Sequence, residues 1–469
     1  MDKRLKTGFV PKGINLIEQC NEIAASRDSR IPASAAGNLP EESAEASVCV
    51  PERKLPRIIA FAATTGDQAL VSLSNFGVTI VVGRILGPEG FGIFTLVWSV
   101  ALFLNVVQQS FFVAPMLTLS SKYEGNERSK YFGSVLALQS AFAISSMILL
   151  VLGFEIGVLG DFFSPKVNQT ILPLACACFF YQMQEFIRRM LQATARSVAA
   201  LLCDVTTYGL QIAMLSWLLL NKQAGMASIF WMLAATWMAG CVFFVTVRGQ
   251  IEFSKAAVTM AMGVHFSFGG SLALANLFMW FSGYGSLYAV AAQLSPAAVG
   301  NIRAAMNVVA PFNVLAVGIQ IFLSIEAAQV YRLHGMQAMT RLLRNYAVGF
   351  MLVCVPLGLV LWIWARPLVR ALLGSRFEVP ASWLVGQFVA VVAFALFGFL
   401  MVHFKTIERN YYTALAAGGG MLLTLTLTTM LVRPLGAGAV FVGLVAGQTG
   451  AIACAGWFWL KSIRGQELG

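Results

Sequence analysis

The residues of this 469-residue chain best placed to do chemistry are ionisable side chains set inside or beside apolar segments: Asp67, Arg84, Asp204, Arg303 and Glu326. A charge in such surroundings is costly, so it marks a ligand counter-ion, a proton relay or an ion path by default. Two readings stand for Arg84 and Arg303: each is a functional charge inside the membrane, or each snorkels to the membrane interface.

Amides extend the pattern. Asn105, Gln108 and Gln109 follow an i, i+3, i+4 spacing and share one helical face. Arg303 and Asn307 share a face, and Asn313 and Gln320 share another. Lipid cannot satisfy such groups, so they serve as hydrogen bonds between helices or as the lining of a hydrated cavity. Asp67 has two readings as well. In a helix beginning near residue 58 it lies well inside the membrane and could bind a proton or sodium. In a helix beginning near 66 it is an N-terminal acid favoured by the dipole. Asp204 poses the same question in the fifth helix.

Other chemistries find little support. His265, His334 and His403 stand at segment edges without a Cys, Ser or carboxylate constellation. Six of the eight cysteines lie in apolar segments, where Cys acts as a small hydrophobe, and Cys176-Ala-Cys178 has no further ligands for a metal. No Gly-x-x-x-x-Gly-Lys-Ser/Thr loop is present, so transport would run on an ion gradient or the cargo's own gradient. No enzyme, cofactor or metal is expected.

The elements that must hold these residues are membrane helices. The chain is 58% hydrophobic and 11% charged, with mean hydropathy +0.75. Apolar stretches long enough to span a bilayer recur from residue 58 onward. They read as twelve helices, about 58–85, 91–120, 131–153, 169–187, 198–220, 225–247, 264–292, 299–325, 345–365, 382–403, 411–431 and 437–461. The net charge of +11 reflects loop arginines and lysines rather than a nucleic-acid surface. Eighteen Lys and Arg fall on the side of the termini and eight on the other, which places both termini in the cytoplasm. The loop after the ninth helix dissents, with Arg366, Arg370 and Arg376 on the outer side.

The chain turns between the first two helices at Arg84-Ile-Leu-Gly-Pro-Glu-Gly-Phe-Gly92, where Pro88 lacks an amide and Gly87, Gly90 and Gly92 tolerate positive φ. The turn recurs in the second half of the chain. Leu86, Pro88, Gly92 and Asn105 align with Leu294, Pro296, Gly300 and Asn313, as do Val82, Val100 and Val106 with Val290, Val308 and Val314. Two homologous halves are the usual build of a secondary transporter. The domains read as a disordered tail 1–56, rich in Ser, Ala, Glu and Pro, then six-helix bundles at 57–248 and 249–469. The fold class is therefore an all-α membrane protein of two six-helix bundles.

Gly83-Arg84-Ile-Leu-Gly-Pro-Glu-Gly-Phe-Gly-Ile-Phe94 resembles the first turn of the polysaccharide transporter family, the oligosaccharide-lipid flippases of the multidrug/oligosaccharidyl-lipid/polysaccharide exporter superfamily. Arg188-Arg-Met-Leu-Gln-Ala-Thr-Ala-Arg196 resembles its basic cytoplasmic loop, and Leu294–Met306 its second turn. The resemblance implies a V-shaped pair of bundles with helices 1, 2, 7 and 8 lining a central cavity. It implies an undecaprenyl-diphosphate-linked oligosaccharide as cargo, crossing the bacterial inner membrane for surface or exopolysaccharide assembly. Arg84 and Arg303 would meet the diphosphate, while Asn105, Gln108, Gln109, Asn307 and Asn313 would contact sugars. Membrane lipids surround such a protein, and polysaccharide polymerase and chain-length proteins would act beside it. A multidrug or cation exporter of the same superfamily is the alternative, although it would prefer acidic cavity residues. A membrane polymerase or ligase, from another class, would need a large outer loop.

Overall fold

Two glycines decide where the longest apolar runs fold back. A computed structural model describes residues 54–155, 169–221, 225–407, 409 and 411–464, with side chains from residue 70 on except at 154–155, 221, 271, 321, 325 and 462–464. Within Lys54–Gln108 the helix breaks at Gly87, where φ is 68° and ψ −178°, and Pro88 opens the next helix. Asn75 and Thr79 before the break line the same cavity as Thr95 and Trp98 after it, so the two arms form a hairpin. Of the three turn glycines only Gly87 has positive φ.

The second break, at Gly335 (φ 76°), divides Pro296–Leu373. Tyr346 Oη donates to Glu326 Oε2 at 2.9 Å across this hairpin. The start of that run is set by Ser295, whose side chain accepts the Ala298 amide at 3.2 Å, with Pro296 following. Cut at the two glycines, the described residues give twelve helices. They are α1 (54–86), α2 (88–119, with a π turn at Gln109–Val113), α3 (Gly125–Glu155), α4 (Ile171–Ala193), α5 (Ser197–Asn221) and α6 (Met226–Cys241). The second set is α7 (255–293, with a π turn at Phe281–Gly285), α8 (296–334), α9 (336–373), α10 (Ala381–Thr406), α11 (Tyr411–Leu435) and α12 (Ala439–Arg464). No strand occurs among the described residues. Eight continuous stretches are long and apolar enough to cross a membrane, and the first and last of them, Leu70–Lys122 and Tyr411–Lys461, each contain two of these helices.

Several helices run past their expected ends. Helix α4 continues to Ala193, so Arg188 and Arg189 are helical rather than part of a basic loop, and Arg188 is buried with 4% of its side chain exposed. The reason is pairing: a carboxylate from α5 and one from α4 itself hold the guanidinium inside the bundle. Likewise α8 and α9 lengthen until only Gly335 separates them, which puts Arg332, Arg341 and Arg344 on helix and not in a loop. Helix α1 begins at Lys54, so Asp67 is interior to it along the backbone; its side chain lies outside the described residues. The tail expected to be disordered also lies almost wholly outside them.

The core is continuous across both bundles, linking Val82, Phe91 and Trp237 with Val299, Leu373 and Val440. Helix α7 bends by 53° near residue 271. Its first half packs on the π turn of α2: a Cβ on Gly269 would lie 2.6 Å from Ser110 O. His265 Nδ1 donates to Phe111 O at 2.9 Å and Nε2 accepts from Tyr131 Oη at 2.9 Å. A π turn leaves carbonyls off the regular ladder, and an imidazole from the facing helix takes one of them.

Candidate functional site

The central cavity begins with one stripe of α2. Phe91, Phe94, Thr95, Trp98 and Leu102 repeat at helical spacing and face inward, opposite Asn75, Val78 and Thr79 of α1. Tyr181 of α4, Gln211 of α5, Trp237 of α6, Tyr284 of α7 and Arg303 of α8 close it, around a volume of about 280 Å³. The wall is aromatic. Trp98 stacks on Trp237 with ring centres 5.3 Å apart and planes at 10°, and Tyr181 meets Trp237 at 4.9 Å.

Arg303 is the one charged side chain among the described lining residues. Its Cζ stands 6.0 Å from the centre of the Tyr284 ring, within cation–π range. Two further groups that line the cavity are buried donors without a protein partner, Trp237 Nε1 and Gln211 Nε2. Buried donors are costly when unpaired, so a wall that presents them with a guanidinium, and with no carboxylate among its described residues, suits a ligand rich in oxygen acceptors.

The other expected site residues are dispersed. Arg84, on the exposed rim, donates Nε to Leu372 O at 2.6 Å and Nη2 to Ala371 O, so it caps the C-terminal end of α9 and does not line the cavity. Gln108 is fully buried and donates to Gln182 O at 2.7 Å, and Gln109 donates to Glu185 Oε1 at 3.0 Å; both tie α2 to α4. Asn105 and Asn307 each keep a buried Nδ2 without a protein partner. Asn307 lies one turn along α8 from Arg303. Asn313 is exposed. The amide of Gln320 fills the space left by Gly398 of α10. Of the arginine and asparagine face read from the sequence, Arg303 lines the cavity and Asn307 is buried one turn away, while the glutamines of α2 belong to packing.

A polar seam leads from the cavity into the first bundle. On α4, Tyr181, Gln184, Glu185 and Arg188 keep the i, i+3, i+4, i+7 spacing, and on α5 Asp204, Thr207, Tyr208 and Gln211 keep the same one. Arg188 pairs with Glu185 at 2.6 Å and with Asp204 at 3.3 Å, Arg189 reaches Glu185 at 2.9 Å, and Gln184 donates to Asp204 Oδ1 at 3.1 Å. Asp204 lies two turns into α5 and is fully buried, so it is a core partner of Arg188 and not an acid at a helix start. The signal was present in the sequence as two polar stripes of matching period. A helix ending at residue 187 leaves Arg188 outside the first stripe, whereas α4 continues to Ala193 and includes it.

No protein-family model matches the chain, and no curated protein matches it. Among solved structures, it is similar to a multidrug resistance MATE family transporter of the MOP superfamily in its inward-facing conformation, with TM-score 0.70 and 13% identity over 86% of this chain and 98% of that one. It is similar to the lipid II flippase MurJ, inward closed, with TM-score 0.65 and 12% identity over 86% and 87%. It is also similar to the Vibrio cholerae MATE transporter VcmN, with TM-score 0.62 and 13% identity over 88% and 98%. The common element is the fold: two helical bundles about a central cavity, as in MOP-superfamily transporters.

Proposed function

We propose that the chain is a flippase for undecaprenyl-diphosphate-linked oligosaccharide repeat units, working by alternating access in the bacterial inner membrane with both termini cytoplasmic. The observation that carries this reading is the donor character of the cavity: Arg303, Trp237 Nε1 and Gln211 Nε2 face a space with no carboxylate among its described lining residues. Arg303 would take the diphosphate as a bidentate donor. Gln211 and Asn75 would meet sugar hydroxyls, with Asn105 and Asn307 joining as the bundles part. The aromatic wall offers flat apolar faces to sugar rings. At about 280 Å³ the cavity is small for such a headgroup, so binding would require it to widen. The likeness to a lipid II flippase supports a lipid-linked cargo. Polymerase and chain-length proteins would receive the product, and the two bundles would divide at the turn Arg248–Gln250.

A second reading, export of aromatic or cationic compounds, is favoured by the stacked Trp98, Trp237 and Tyr181 rings and by the likeness to MATE transporters. The deciding experiment is the chemistry of surface polysaccharide in a strain lacking this chain, complemented with wild type, Arg303→Ala or Arg303→Lys. Loss of polymer, with lipid-linked units held on the cytoplasmic face and no rescue by Arg303→Ala, is the expected result. Normal polymer with new sensitivity to cationic drugs would replace the first reading with the second.

A further inference from the structure

The second bundle carries a groove remote from the cavity. Phe312, Leu315 and Ile319 of α8, Gly349 and Val353 of α9, and Phe388 of α10 are among its walls, around a volume of about 530 Å³. Its wall is apolar apart from Asn345 and Tyr346 at one end. The groove is open beside Gly349, where a Cβ would meet nothing within 4 Å. Phe312 lies nine residues beyond Arg303 on α8, half a turn out of phase, so the groove opens away from the cavity. Helix α9 is the membrane-facing wall: only 11% of the most apolar window in Glu326–Leu373 is buried, the smallest share of the eight spans.

Length and charge identify the occupant. From Asn345 to Leu357 the groove runs along α9 for about 18 Å, close to the hydrocarbon depth of one leaflet, half of a core about 30 Å thick. Arg341 continues the same stripe one turn beyond Asn345 toward the Gly335 turn, at headgroup level, with Arg344 beside it. Both are exposed and neither has an ion-pair partner among the described residues. Glu326, the acid at that end, is occupied in accepting the Tyr346 hydroxyl.

We propose that this groove is a binding site for a phospholipid of the leaflet on the Gly335 side, with one acyl chain between α8, α9 and α10 and its phosphate on Arg341 and Arg344. The site is independent of the cargo and of the cavity. It would hold α8 against α10 through the very helix that carries Arg303.

The test uses the full chain reconstituted in vesicles containing phosphatidylglycerol with a photoreactive acyl chain, and adducts are mapped by mass spectrometry. Adducts on residues 349–357 and 312–319 should exceed those on exposed Ile148 and Leu149 of α3 at least fivefold. Gly349→Phe should remove the groove adducts and leave those on α3 unchanged, which also reports that the fold is intact. Arg341→Ala with Arg344→Ala should lower groove labelling severalfold. Equal labelling of groove and α3 in the wild type would overturn the proposal. So would groove labelling that survives Gly349→Phe, displacement by equimolar polyprenyl diphosphate, or a dimer of this chain that covers α9 and leaves the groove unlabelled.

Discussion

Gly92 and Gly300 face each other across the two turns with room for no side chain. A Cβ on Gly92 would overlap the carbonyl oxygen of Pro296, and a Cβ on Gly300 would overlap that of Pro88. The contact is reciprocal: each glycine of one Pro-x-x-x-Gly unit receives the proline carbonyl of the other. Aligned positions in the two halves are thus in contact in space, which closes that end of the cavity. Phe377, in the segment after α9, adds an edge contact to Phe91 at 6.0 Å.

Gly92→Ala should push the hairpins apart. Forcing a methyl into a packed contact costs about 1–3 kcal/mol, a shift of roughly fivefold to a hundredfold in a two-state population. Spin labels at Glu89→Cys and Asn301→Cys should report a longer mean distance in Gly92→Ala, and Gly300→Ala should act alike.

Arg84→Ala should weaken closure without weakening cargo binding, since its guanidinium is spent on the carbonyls of Ala371 and Leu372. Capping of an exposed helix end is worth about 0.3–1 kcal/mol, so a small change in the same label distance is expected. Arg303→Ala should instead lower affinity for a lipid-linked diphosphate by roughly tenfold or more, as loss of a charge-assisted hydrogen bond of about 1.5–3 kcal/mol. Binding measured on both variants separates the two roles; equal losses would contradict it.

Arg188→Met should cost more than removing the whole cluster. The single change leaves Glu185 and Asp204 buried without their shared cation, a penalty of about 3–5 kcal/mol. In Glu185→Gln/Arg188→Met/Asp204→Asn only Arg189, with 24% of its side chain exposed, loses a carboxylate partner, and much of the stability should return. Thermal unfolding in detergent reads the difference.

Trp237→Ala should destabilise the first bundle by about 3–5 kcal/mol, because a buried indole is removed from its stack with Trp98 and Tyr181. Trp237→Phe keeps the ring and loses the Nε1 donor. It should therefore leave the melting temperature nearly unchanged while lowering cargo binding.

The class of fold, the twelve helices and the repeat of the turn in the second half are legible in the chain alone. These follow from local quantities: apolar length against bilayer thickness, backbone freedom at the turn glycines, and a repeated Leu-x-Pro-x-x-x-Gly. Arg303 is marked there as well, because a charge in an apolar stretch is conspicuous wherever the chain folds. What each polar group faces is set by contacts between distant helices. Arg84 and Arg303 read alike in sequence, yet one caps α9 and the other lines the cavity, since the choice rests on which distant helix arrives beside each. Arg188 read as a loop cation and became a core residue once Asp204 of α5 stood next to it. The glycines of the two turns looked interchangeable as backbone joints. Packing made Gly87 the joint and Gly92 the contact.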